Sequence, residues 1–148
     1  MGWLTHIFEA EYYYPDETSL DDLKSAVEQA ITTYPKKGEY TLVQGEEEVS
    51  KLFQRSGEEH SVKHAYHNDQ VADEDKTVFA THRTRLFGFV DDMAFTFGNL
   101  EDGKAYIKAF SISRVGKGDM KQNAKNVRQI MNRVKKDHPF EKEKVFKS

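Results

Sequence analysis

Residues 87–97, FGFVDDMAFTF, decide the fold. Phe87, Phe89, Val90, Met93, Phe95 and Phe97 supply the apolar side chains of a half-buried strand, yet Asp91 and Asp92 set two adjacent carboxylates in its middle. Strand alternation puts Phe89, Asp91, Met93, Phe95 and Phe97 on one face and Val90, Asp92, Ala94 and Thr96 on the other. With the Phe-rich face on the core, Asp91 points inward and Asp92 outward. An inward carboxylate needs a partner, because an unpaired buried charge costs several kcal/mol or takes up a proton. Arg83 and Arg85 on the strand before and Arg114 at the end of the strand after are the expected partners, through the bidentate guanidinium fork.

Working outward, KTVFATHRTR (76–85) and KAYIKAFSISR (104–114) are further strand-length segments. The turn-like GNLEDG (98–103) joins the last two strands, so an antiparallel meander is expected. GKGD (116–119) then breaks the sheet. Asp119 is the expected N-cap of a helix with Gln122 three residues on, Met120, Ala124, Val127, Met131 and Val134 form its buried stripe, and Lys121, Lys125, Arg128, Arg133 and Lys135 its outer face. In the first half, TSLDDLKSAVEQAITTY (18–34) carries Leu20, Leu23, Val27, Ala30, Ile31 and Tyr34 at helical spacing, with a Ser19–Asp22 capping box and Pro35 after its end. EAEYYY (9–14) and GEYTLV (38–43) read as short strands, and EEEVSKLFQR (46–55) as a short helix turning Val49, Leu52 and Phe53 inward. The predicted architecture is α+β: one domain over residues 1–148, a single antiparallel sheet, an N-terminal and a C-terminal amphipathic helix packed on one face, and a charged tail at 138–148. The polar stretch 56–75 yields no element.

A chain of 148 residues buries about two thirds of its unfolded surface and needs no staple to fold. The absence of cysteine excludes disulfides and thiolate chemistry. No run approaches the roughly twenty apolar residues of a membrane span, and the early Glu9 and Glu11 do not suit a signal peptide, so a cytoplasmic location is the expectation. The net charge of −3 is unevenly spread: residues 1–75 hold 17 acids and 6 bases (net −11), and residues 76–148 hold 8 acids and 16 bases (net +8). Two halves of one domain complementing each other is favoured over an anionic partner such as nucleic acid, because no aromatic interrupts the basic helix as a stacking surface would.

RTRLFGFVDDMAFTF (83–97), followed by SISRVGKGDMKQN (111–123), resembles the family known as domain of unknown function 1499, over about residues 76–135. The positions that carry the resemblance are Thr84, Arg85, Gly88, Phe89, Val90, Asp91, Asp92, Ser111, Ser113, Arg114, Val115, Gly116, Asp119 and Asn123. Ala94 stands where the family commonly has Glu, and no Gly lies between Asp119 and Asn123. The resemblance implies which side chains belong together and names no activity and no cofactor.

The leading functional expectation is a polar pocket for a small molecule or ion, formed by Arg85, Asp91, Asp92, Ser111, Ser113, Arg114, Asp119 and Asn123 beside an apolar wall. The alternative is a structural or interaction module in which these residues only form an ion-pair network. A hydrolytic or metal-dependent enzyme comes third, because adjacent strand residues face opposite ways and no positioned nucleophile and base stand out. The VGKGD turn lacks a phosphate-loop spacing. His60, His64 and His67 would share a face only in a helix, for which the surrounding residues are poorly suited. An interaction surface would draw on Trp3, Phe8 and Tyr12–Tyr14, or on Phe140 and Phe146, to cover a sheet edge or form a homo-oligomer.

Overall fold

The computed structural model describes residues 7–53, 76–114 and 120–147. In chain order the elements are β1 (Ile7–Tyr13), α1 (Leu20–Thr32), β2 (Tyr40–Val43), α2 (Glu46–Ser50), β3 (Thr77–Arg83), β4 (Val90–Asn99), β5 (Ala105–Ser113), α3 (Met120–Lys135) and β6 (Lys142–Lys147). The strands form one antiparallel sheet in the order β2-β3-β4-β5-β1-β6, with the expected meander at its centre.

Helix α1 starts where the Ser19 side chain accepts from the Asp22 amide at 3.3 Å. It buries Leu23, Val27, Ala30 and Ile31, while α3 buries Val127, Ile130, Met131 and Val134. Both helices pack on the sheet face that carries Phe8, Ala10, Tyr12, Met93, Phe95, Phe97 and Ile107. The opposite face is covered as well: Leu52 and Phe53, just after α2, close over Phe79, Ala94, Phe110 and Ile112. Asp92 is therefore wholly buried rather than outward. Sheets covered on both sides read as near-continuous burial. Strand β5 does so, with eight of its nine residues buried. Phe89, expected on the core face, precedes β4 and is exposed.

The charged tail adds the edge strand β6 to β1. Phe140 packs edge-on against the Tyr12 ring at 4.9 Å. The Tyr12 hydroxyl donates to Glu143 Oε2 at 2.7 Å, and Arg128 donates to the same carboxylate at 2.8 and 3.1 Å. Phe8, Tyr12 and Tyr14 are core residues, so they supply no exposed surface; Trp3 lies outside the described residues. Three of the cations of α3 are also engaged within the domain. Arg128 lies over the Phe8 ring, Arg133 donates to Thr33 at the end of α1, and Lys135 sits over Phe140.

The hydrogen bonds from Arg128 and then from Tyr12 hold the Glu143 carboxyl below its ordinary range, against the opposing effect of burial. A carboxyl lowered in the folded state contributes stability that is present above its unfolded pKa of about 4.3 and is lost as pH falls through the folded value. The stability gap between the wild type and Glu143→Gln is accordingly expected to narrow as pH falls below about 4. Denaturant midpoints measured across acid pH test this, and a gap independent of pH would refute it.

Candidate functional site

The antiparallel register places His82 of β3 opposite Asp91 of β4, and Asp91 opposite Ser113 of β5. All three point to the helix-covered face, where α3 meets them with Asn123 and Asn126. Asp91 Oδ2 lies 3.2 Å from His82 Nδ1 and accepts from Asn126 Nδ2 at 2.8 Å. Ser111 Oγ donates to Asn123 Oδ1 at 2.7 Å, and Asn123 Nδ2 donates to Ser113 Oγ at 2.9 Å. Gln122 donates to Asn126 Oδ1 at 2.7 Å and closes the chain. On its other side His82 Nε2 lies 3.4 Å from Glu39 Oε1. His82, Asp91, Ser111, Ser113, Asn123 and Asn126 are all buried, and none of their buried side-chain polar atoms lacks a hydrogen-bond partner.

Asp92 belongs to the other face. Arg114 Nε reaches its two oxygens at 2.9 and 3.0 Å, Arg114 Nη2 reaches Oδ1 at 2.8 Å, and the Phe53 amide donates to Oδ2 at 3.1 Å. This last bond holds Phe53 in the left-handed region, at φ 63°, where a bulky residue is strained. Asp92 thus fastens the segment that covers the second face.

The sheet divides the residues selected from sequence. Asp91, Ser111, Ser113 and Asn123 come together on one side, and Asp92 with Arg114 on the other. Arg85 stands apart in the β3–β4 turn, exposed, and Asp119 lies outside the described residues, as do His60, His64 and His67. The partner expected for Asp91 was an arginine; the partners found are His82 and Asn126. Alternation explains the difference, since Arg83 follows His82 onto the opposite face and Arg114 shares its face with Asp92. Asn126 is legible in retrospect: it lies three residues after Asn123 and next to Val127, on the buried stripe. Among the described residues no three His, Asp or Glu side chains gather as a metal site.

The same end of the sheet holds an open cleft of about 420 Å3 lined by Lys36, Lys37, Glu39, Arg83, Thr84 and Arg85. The Arg83 amide donates to Glu39 O at 2.8 Å, which seats the loop bearing the two lysines against β3. All four cations are exposed, and no ion pair among the described residues engages them. The cleft thus sets four exposed cations against one carboxylate, Glu39, whose Oε2 has no hydrogen-bond partner among the described residues.

No curated protein and no solved structure matches this chain. A family model does match, over residues 12–134, which extends the resemblance seen in the second half back through α1 and β2. The chain belongs to the family described as Protein of unknown function (DUF1499).

Proposed function

We propose that this domain binds an anionic small molecule at the cleft between the Lys36–Glu39 loop and the β3–β4 turn. The observation that carries this reading is the convergence on one open space of four exposed cations, Lys36, Lys37, Arg83 and Arg85, which no ion pair among the described residues engages. Four cations against the single carboxylate of Glu39 raise the local positive potential and favour an anion. Arginine offers a planar fork for phosphate or carboxylate and lysine a mobile point charge. Arg85 keeps a direct role in this reading. The buried Asp91, Ser111, Ser113 and Asn123 act by positioning, because the chain Glu39–His82–Asp91 ties the lysine loop to the two strands that carry the turn. Asp92 and Arg114 fasten the cover of the far face.

Titrating the labelled protein with inorganic phosphate and pyrophosphate tests the proposal by amide NMR shifts. Saturable shifts confined to residues 36–39 and 83–88 are expected, and Arg85→Ala should weaken binding about tenfold or more, as loss of a charge-assisted hydrogen bond implies. An absence of saturable shifts, or affinity unchanged in Arg85→Ala, would overturn it.

A further inference from the structure

Beside this cleft stands the least expected surface of the molecule. Leu86, Phe87 and Phe89 are 82, 72 and 53 % exposed, three large apolar side chains within four residues of one turn. Single exposed apolar residues need no explanation, but a contiguous group does. Phe87 and Phe89 stack at 5.6 Å, so the group presents one continuous apolar tip. The turn under it is firmly built. Thr84 N donates to Phe89 O at 2.8 Å, Gly88 N to Thr84 O at 3.0 Å, and Phe89 N to Thr84 Oγ1 at 2.8 Å. Gly88 takes φ 67°, a conformation open to glycine at little cost. A tip held in this way loses little conformational freedom when it binds.

The cleft lined by Lys36, Lys37, Arg83 and Arg85 reaches Gly88 of this same turn, and Glu39, with Oε1 3.4 Å from His82 Nε2, is the single acid among its lining residues. An apolar tip backed by a cationic collar matches the layering of a bilayer interface, where acyl chains lie beneath anionic headgroups. We infer that the β3–β4 turn docks on a bilayer surface containing anionic phospholipid, with Leu86, Phe87 and Phe89 entering the headgroup–acyl boundary and the four cations meeting the lipid phosphates. A second copy of the chain docking tip to tip would instead bring two cationic collars together, which like-charge repulsion opposes. The inference rests on the cleft reading for its electrostatic half, and adds the apolar half and the lipid source of the anion.

Co-sedimentation of the full chain with vesicles of phosphatidylcholine alone, or of phosphatidylcholine with phosphatidylglycerol, tests it. Binding only to the anionic vesicles is expected, falling steeply with added salt. The triple variant Leu86→Ser/Phe87→Ser/Phe89→Ser should bind these vesicles at least tenfold more weakly while keeping the phosphate-induced shifts of residues 36–39, outside the substituted turn, which also certify its fold. Leu86→Ser alone, at the most exposed position, should give an intermediate loss. Phosphate binding without vesicle binding would overturn the lipid inference and leave the cleft reading standing. Vesicle binding unchanged in the triple variant would overturn insertion of the tip. Binding to a single-stranded oligonucleotide in place of vesicles would overturn the lipid inference in favour of nucleic acid, and loss of both phosphate and vesicle binding would remove both readings.

Discussion

Arg114→Ala is expected to destabilise the protein by about 3 kcal/mol, the lower end of the range for breaking a buried ion pair from one side. The substitution leaves Asp92, which is fully buried, with the Phe53 amide as its remaining hydrogen-bond donor. The lower end applies because the Arg114 side chain is itself 36 % exposed, so water already screens part of the pair. Asp92→Ala should cost less, since it removes the charge and frees Arg114 to turn to solvent, leaving one backbone N–H unsatisfied. The double variant is expected to be more stable than Arg114→Ala alone, because what harms that variant is a stranded carboxylate rather than a missing contact. Denaturant unfolding of the four proteins at neutral pH makes the comparison. A loss below about 1 kcal/mol for Arg114→Ala, the range of exposed pairs, would mean that water reaches Asp92. Arg114→Lys should fall between, as it keeps the charge and loses the fork.

The central meander was readable because each strand is long enough to show alternation and each turn carries glycine, and α1 and α3 because their apolar residues recur at helical spacing. The alternation of β4 does not separate a buried face from an outward one, for a physical reason. A strand buried on both sides loses the apolar–polar contrast from which an outward face is read. The warning lay in β5, where Ile107 and Ala109 face one way and Phe110 and Ile112 the other. Among the described residues the second face is covered by a single turn of helix and the two residues after it, Leu52 and Phe53, too short to signal their role. β6 was illegible because KEKVFK is mostly charged and becomes a strand only by pairing with β1. The polar cluster was legible as a set of residue types and not as an arrangement. Its division across the sheet depends on parity along β4 and β5, and its histidine on the register that sets His82 opposite Asp91. The cleft had no local signal, because Lys36 and Lys37 meet Arg83 only through the pairing of β2 with β3.

Asp91→Ala is expected to cost about 3 kcal/mol, because it removes the acceptor facing His82 Nδ1 and leaves Asn126 Nδ2 with only its longer bond to Ser111 Oγ at 3.4 Å. Asn126 Nδ2 and His82 Nδ1 both end on the same Asp91 oxygen, and an unsatisfied buried donor costs about 1–3 kcal/mol. Asp91→Asn retains an acceptor at nearly the same place and should lower the melting temperature by a smaller amount, since a neutral amide oxygen is a weaker acceptor than a carboxylate. The site discriminates a supporting network from a binding surface. If Asp91 positions the cleft through His82 and Glu39, loosening that chain should blur the phosphate-induced shifts of residues 36–39 while those of 83–88 persist, because the β3–β4 turn is closed by its own bonds through Thr84. Differential scanning calorimetry of Asp91→Ala and Asp91→Asn, followed by phosphate titration of the milder variant, separates the two effects. A melting temperature unchanged in Asp91→Ala would show that the buried chain contributes nothing to stability. Unaltered stability together with lost phosphate binding would instead make Asp91 part of the binding surface itself, as an aspartate that contacts the ligand must be.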